Sequence, residues 1–324
     1  MAGAAHAGMR LDAFVAAEIP GLSRSQVRRL IDLGLVAAGG RPAKAAKKVS
    51  EGDEISVEVP PPTEPGAAPE DIPLEIIYED SDIVVVAKPA GMVVHPAAGH
   101  PGGTLVNALL AHCGDLSGIG GELRAGIVHR LDRGTSGCIV AAKNDLAHRS
   151  LSAQFKARTV GKTYLALVFG SMRQASGSFD KPIGRSRSDR KRMSSRTAKG
   201  KSSLTQWRVA RDLCGQLSWI EIALRTGRMH QIRVHFSEAG HPLVGDAVYG
   251  GARRAAKFTA GRVRELVEAF PRPALHAWKL SIDHPRSGKR MEFVAELPKD
   301  IEALLEDLTS ACRVGEKRKD AVRR

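Results

Sequence analysis

Apolar positions near the start of the chain follow a helical period. Leu11, Phe14 and Val15 share one face, and the pattern restarts at Ser23, with Gln26 three residues on, so that each side chain can accept from the other's backbone N–H. Val27, Leu30 and Ile31 form the apolar face of this second helix. Arg24 and Arg28, four apart, share another face, with Arg29 beside them. A turn at Gly34, a short strand over 35–37, a Gly39-Gly40 turn and alternation at Ile55, Val57 and Val59 complete a small unit, with Lys44, Lys47 and Lys48 on its loop.

The segment Pro60-Pro61-Pro62-Thr63-Glu64-Pro65-Gly66-Ala67-Ala68-Pro69 can neither continue a helix nor join a central strand, and reads as a semi-rigid linker. Beyond it the period shortens. Residues 83–87 and 138–142 are continuous apolar runs, as in buried strands. Residues 163–169 and 218–224 alternate, and 277–282 and 291–294 are further strands joined by a turn at Pro285 and Gly288. After the 218–224 strand, Met229, Ile232 and Phe236 fall at i, i+3 and i+7 and predict a helix. The expected fold is an α+β domain with a largely antiparallel sheet, preceded by a small α/β unit. The predicted boundaries are 10–59 for the small unit, 60–73 for the linker, 74–305 for the large domain and 306–324 for a disordered basic tail.

Composition sharpens the choice of partner. The chain has 324 residues, with Lys plus Arg at 49 against 35 acidic residues, a net charge of +14. A field of that sign attracts polyanions, and nucleic acid is the first candidate. A membrane surface is not favoured: there is no run of 18 apolar residues and no basic amphipathic helix with an aromatic apolar side. Cys113, Cys138, Cys214 and Cys312 show no C-x-x-C or metal-ligand cadence and read as reduced thiols of a cytoplasmic protein. Residues 1–9 lack the charged and apolar regions of a secretory leader.

The stretch His129-Arg130-Leu131-Asp132-Arg133-Gly134-Thr135-Ser136-Gly137 carries the candidate chemistry. A carboxylate set between two arginines is expected to stay ionised at neutral pH and could act as a nucleophile without a metal or a base. Because the loop runs into the 138–142 strand, a rigid sheet can hold it. Tyr164 lies in an alternating strand with small neighbours on its face, which leaves room for a flat ligand. Arg233 lies beside the stripe of the helix after 224 and can cross to pair with a carboxylate. His230 and His235 read as hydrogen-bonding or helix-face residues. Pro182-Ile183-Gly184-Arg185 and Asp189-Arg190-Lys191-Arg192-Met193 form a Gly-containing turn and a basic run suited to gripping phosphate.

These segments carry two resemblances. Arg10-Leu11-Asp12, Ser23-Arg24-Ser25, Gly34-x-Val36 and Gly52-Asp53 resemble the alpha-L RNA-binding module of ribosomal-protein-S-four type. Lys88-Pro89-x-Gly91-x-x-Val94-His95-Pro96, Gly126-Ile127-Val128-His129-Arg130-Leu131-Asp132, Gly240-His241-Pro242-Leu243-x-Gly245-Asp246, Leu275-His276-Ala277 and His284-Pro285 resemble the RluA/RluD-type pseudouridine synthases. Gly134 stands where many of that family carry an acidic residue, a change in the turn and not in the carboxylate.

The resemblance implies isomerisation of uridine to pseudouridine in RNA with no cofactor and no metal. Asp132 would form a covalent adduct, Tyr164 would stack on the uracil, Arg233 would ion-pair with Asp132 and Arg130 would fill the place of the displaced nucleotide. Arg24, Arg28, Arg29, Arg185 and Arg190 would contact RNA. Val94-His95-Pro96-Ala97-Ala98-Gly99 and Asp246-x-Val248-Tyr249-Gly250-Gly251 resemble the RluD-type branch, which acts on the helix 69 stem-loop of 23S ribosomal RNA. The expected partner is large-subunit ribosomal RNA or its assembly intermediates. No protein partner is implied, and a monomer is expected. Transfer RNA as substrate, a non-catalytic assembly factor and a carboxylate glycoside hydrolase are the competing readings. The hydrolase is disfavoured because no second carboxylate is placed as Asp132 is.

Overall fold

The computed structural model describes residues 1–19, 22–59, 67–96, 100–113, 116, 126–187, 189, 192–197, 199–258 and 261–322, with side chains given as far as 313. The N-terminal unit packs α1 (Leu11–Glu18) and α2 (Arg24–Asp32) on a three-stranded antiparallel sheet of β1 (Val36–Ala38), β2 (Arg41–Pro42) and β3 (Ile55–Val57). The apolar faces read from the sequence meet here: Leu11, Phe14 and Val15 bury against Val27, Leu30, Ile31, Val36 and Val49. Ser23 and Gln26 form the reciprocal cap at the start of α2. Asp12 joins the helices, accepting from Arg10 and from Arg24 Nη2 at 3.2 Å, and the Arg10 hydrogen bond leads in holding its carboxyl down at about 2.

The large domain is built on one nine-stranded sheet. Its strands are β4 (Glu75–Glu79), β5 (Ile83–Lys88), β6 (Ser136–Ala142), β7 (Gly161–Phe169), β8 (Ser176–Asp180), then, past the hairpin of β9 (Gly184–Arg185) and β10 (Met193–Ser194), β11 (Leu204–Leu213), β12 (Leu217–Leu224), β13 (Leu275–Asp283) and β14 (Arg290–Val294). The order is β4-β5-β6-β13-β7-β12-β11-β8, with β14 on β13. Among the described strands, only β6 and β13 run parallel, over His276↔Ser136 and Ala277↔Gly137. Gly137 makes that pairing possible: a Cβ there would sit 2.1 Å from the Ala277 carbonyl oxygen, and its φ is +114°. A buried latch closes the junction, in which Ser136 Oγ donates to His276 Nδ1 at 3.0 Å and His276 Nε2 donates to the Ala295 carbonyl at 3.2 Å.

Helices cover both faces. Their ranges are α3 (Leu105–His112), α4 (Asp145–Ala157), α5 (Gln231–Glu238), α6 (Gly251–Ala255), α7 (Arg262–Ala269) and α8 (Lys299–Val322). The alternation of β7 sorts the core. Leu167 and Phe169 pack with α7 and α8 residues such as Val267, Ile301, Leu304 and Leu308, whereas Ala166 and Val168 pack with Ile232 and Phe236 of α5. Tyr164 touches that α5 cluster and also the cluster of Leu105, Leu109, Leu131 and Ile139 under α3. It therefore stands at the seam between two halves of one sheet face.

Three expectations need correction. Residues 306–322 are helical and not disordered, since α8 continues through Val322 and its stripe of Leu304, Leu308 and Cys312 extends onto the core. Cys214 and Cys312 are bridged, with Cα atoms 5.5 Å apart, because the β11–β12 turn and α8 pack together although 98 residues separate them in sequence. Cys113 and Cys138 are free and buried. Met229 lies ahead of α5 and is 40% exposed, so the buried stripe of that helix begins at Ile232. In the proline-rich segment, residues 60–66 lie outside the described residues, while Ala67 is buried in the α3 cluster and Glu70 accepts from Gly103 N. None of the described helices is long and apolar enough to cross a membrane.

Candidate active site

The Asp132 loop hangs from β6 and is fixed at several points. Leu131 is buried under α3, Thr135 N donates to Asp132 O at 3.0 Å, and Arg272 Nη1 donates to Gly134 O at 3.1 Å while its other nitrogens grip Asp300. On the other side, Gly91 N donates to Arg133 O at 2.7 Å and Arg133 Nε to Gly91 O at 3.1 Å. The two flanking arginines part company. Arg133 turns to a backbone carbonyl, and Arg130 is exposed at the rim of the cleft.

The charge partner of Asp132 comes from α5. Arg233 Nη1 donates to Asp132 Oδ2 at 3.3 Å, while its Nε and Nη2 make a two-point pair with Asp246 at 2.7 and 2.9 Å. Asp246 is fully buried, and its Oδ1 also accepts from Val248 N and Tyr249 N. Burial works against the Arg233 charge, but the hydrogen bonds and charge of Asp246, with Asp132, prevail and raise its pKa. A guanidinium locked in this way is a fixed positive charge beside a partly exposed carboxylate.

Tyr164 forms part of the cleft, with Leu131, Leu224, Ile232 and Leu275 as apolar walls and Arg228, Met229 and His230 beside them. Burial first, then the Asp132 charge, raises the Tyr164 pKa, so the phenol keeps its proton across physiological pH. Lys88, at the end of β5, is 1% exposed and donates to Pro89 O at 2.7 Å and Met92 O at 2.9 Å. Burial and the Arg272 charge pull it down to about 7, against the opposing charge of Asp132. His129 is neutral: its Nε2 accepts from Val140 N at 3.1 Å and its ring stacks on Phe155.

Asp132, Tyr164, Arg233 and Arg130, separated by up to 103 positions (233 minus 130), therefore line one cleft. Other singled-out residues lie elsewhere. Arg24, Arg28 and Arg29 are exposed on α2, with Arg24 held by Asp12, and Arg185 is exposed on β9. Arg190 lies outside the described residues, as do Ala97, Ala98 and Gly99. Sequence reasoning gave no role to Asp246 or Tyr249, although both stood in quoted motifs. The Gly245-Asp246 pair, a turn-forming combination, was the available signal, and Gly245 has φ +73° in the structure.

Known proteins resemble this chain over most of its length. Residues 82–238 match the family model of RNA pseudouridylate synthase, and residues 9–55 that of the S4 domain. A ribosomal large subunit pseudouridine synthase D of Zymomonas mobilis is 45% identical over 305 residues, covering 93% of this chain and 94% of that protein. An uncharacterized RNA pseudouridine synthase, YlyB, of Bacillus subtilis is 44% identical over 299 residues, covering 92% and 94%. Among solved structures, human RNA pseudouridylate synthase domain containing 4 aligns with a TM-score of 0.57 at 26% identity, over 72% of this chain and 92% of that one. The chain, with its N-terminal S4 domain, belongs to the RNA pseudouridine synthase family.

Proposed function

We propose that this enzyme converts uridine to pseudouridine in large-subunit ribosomal RNA, in the helix 69 stem-loop, through a covalent adduct between Asp132 and a flipped-out target nucleotide. The observation that carries the chemistry is the line Asp246–Arg233–Asp132 beside the Tyr164 ring. Isomerisation breaks the bond from the sugar to N1 of the base and forms one to C5, with a proton lost at C5 and gained at N1. Between those events a fragment must be captured while the base rotates, which is work for a nucleophile. Asp132 is the carboxylate placed for it. Because Arg233 keeps a second anion in Asp246, its charge stays paired when the Asp132 charge is consumed.

The base must stay in place as it turns. Apolar walls at Leu131, Leu224, Ile232 and Leu275 and the flat Tyr164 ring suit that task. Flipping costs a few kcal/mol of unstacking. Arg130, exposed at the rim, is placed to enter the vacated stack. The ribosomal target is supported by the relatives named ribosomal large subunit pseudouridine synthase D, by the S4 domain and by the charge of +14. The helix 69 target rests on the likeness of residues 94–99 and 246–251 to the RluD-type branch.

The test is to map pseudouridine in ribosomal and transfer RNA from cells lacking the gene, complemented with wild type or with Asp132→Ala. Modification of helix 69 by wild type alone is expected. Equal levels with both would overturn the role of Asp132, and modification confined to transfer RNA would overturn the target.

A further inference from the structure

Among the described residues a second polar side chain, after Arg233, approaches Asp132: His230, which has no part in the chemistry above. Its backbone is left-handed, with φ 56° and ψ 22°, at the head of α5, and it lines the cleft. That region is uncommon for residues other than glycine, although histidine enters it more readily than most. The His230 ring is held by Tyr249, which is 3% exposed. Its hydroxyl oxygen accepts from Met193 N at 2.8 Å and lies 2.8 Å from His230 Nδ1.

These contacts determine where the imidazole proton sits. A phenol has one proton, and here its oxygen already receives the Met193 N–H. Satisfying the buried hydroxyl therefore sends its own proton to Nδ1. Burial lowers the His230 pKa, so the ring is neutral and carries its single proton on Nε2. Nε2 lies 3.9 Å from Asp132 Oδ2, the oxygen that Arg233 Nη1 approaches at 3.3 Å. One donor leaves a carboxylate free to swing, and a second from another direction fixes it.

We propose that His230 is a positioning residue for Asp132, closing its Nε2–H onto Oδ2 when RNA fills the cleft, and that Tyr249 sets this proton and ties it to the β9–β10 hairpin. The inference rests on Asp132 being the reacting carboxylate. Tyr249 is suited to the link because its ring also lies against two guanidiniums, Arg233 at 4.9 Å and Arg192, beside Met193, at 5.1 Å. The hairpin is in turn bound to the end of α5, where Ser194 Oγ and Ser195 N donate to Glu238. Hydrogen bonds to carboxylates in an unliganded cleft are commonly long and tighten once substrate binds.

The experiment is single-turnover pseudouridine formation on a transcribed helix 69 stem-loop, with RNA affinity measured in parallel, for His230→Ala, His230→Gln, Tyr249→Phe and the His230→Ala/Tyr249→Phe double variant. His230→Ala is expected to slow the chemical step about tenfold or more, the scale of a hydrogen bond to a charged group, with affinity unchanged. His230→Gln, whose side-chain N–H can reach the place of Nε2–H, restores most of the rate. Tyr249→Phe slows the step severalfold, and the double variant is no slower than His230→Ala, since both act on one proton. A wild-type rate in His230→Ala, equal loss in the Ala and Gln variants, or a loss confined to affinity overturns the proposal. Asp132→Asn is assayed alongside: activity there would defeat the reading of Asp132 itself, whereas an inactive Asp132→Asn with an active His230→Ala defeats only the positioning role. Should His230→Ala not fold, His230→Gln and Tyr249→Phe still decide, because full loss in the first or none in the second is incompatible with the proposal.

Discussion

Arg233 gives two of its three nitrogens to Asp246 and one to Asp132, at 2.7, 2.9 and 3.3 Å. The two carboxylates are thereby assigned different work. Asp246 is fully buried, whereas the Asp132 side chain keeps 19% exposure at the cleft. Asp246→Asn removes the buried anion and leaves Arg233 only the longer contact to Asp132, so it is expected to cost about 3 to 5 kcal/mol of stability. Asp132→Asn leaves Arg233 paired and is expected to cost less than about 1 kcal/mol, near the worth of a partly exposed contact, while abolishing pseudouridine formation. Urea denaturation of both variants, with activity measured beside it, separates the two. Equal stability losses would refute the division of roles.

Acid sensitivity should trace in part to His129. Burial, aided by the nearby Lys162 charge, lowers its pKa to about 3 from the ordinary 6.5. Between those values the unfolded chain binds a proton that the folded protein does not, so the contribution is fully present above about 6.5 and declines as pH falls toward 3. One such proton changes stability by about 1.4 kcal/mol per pH unit within that window. His129→Phe, which keeps a ring against Phe155, should be less stable at pH 7 because Val140 N loses its acceptor. Its stability should nevertheless fall less steeply than wild type from pH 6 to 4. Parallel slopes in urea melts at several pH values would rule out this assignment.

Legibility from sequence followed the range of the interaction. The α2 cap and the apolar faces of the N-terminal unit are local, and spacing alone revealed them. The buried runs of β5 and β6 were legible for the same reason. The helix stripe marked Arg233 as able to pair with a carboxylate, but its meeting with Asp132 and Tyr164 was expected through family likeness, because no periodicity links positions on β7, α5 and a loop. Local adjacency misled at Arg133: a neighbour in sequence need not be a neighbour in space, and this side chain turns to Gly91 O. The Cys214–Cys312 bridge was hidden because it joins a turn to a distant helix. The end of α8 was masked by its basic run, although Ile301, Leu304 and Leu308 carried a helical stripe.

That bridge gives a prediction of its own. It ties the β11–β12 turn to α8 in the cluster containing Leu167 and Phe169, on the sheet face away from Tyr164. Closing so long a loop restricts the unfolded chain, and reduction or Cys312→Ser should cost about 2 to 4 kcal/mol. The rate of pseudouridine formation at 25 °C should not change. Thiol counting under denaturing conditions is expected to find two free cysteines before reduction and four after it. Four at the outset would refute the bridge, and a reduced enzyme that is stable but slow would place it in contact with the site.

The arginines of α2 should separate into a structural and an RNA-contacting class. Arg24 is bound to the buried Asp12 and helps to join α1 to α2, whereas Arg28 is exposed on the same helix. If Arg28 neutralises a phosphate, Arg28→Ala releases one fewer counterion on binding. The slope of log affinity against log salt should then shrink by about 0.7 to 0.9, with no change in folded stability. Arg24→Ala should instead lower the unfolding temperature of the module, because Asp12 loses one of its two cationic partners. Titrating ribosomal RNA fragments at several salt concentrations, with thermal melts of both variants, tests the division. An unchanged salt slope in Arg28→Ala would remove this face of α2 from the RNA contact.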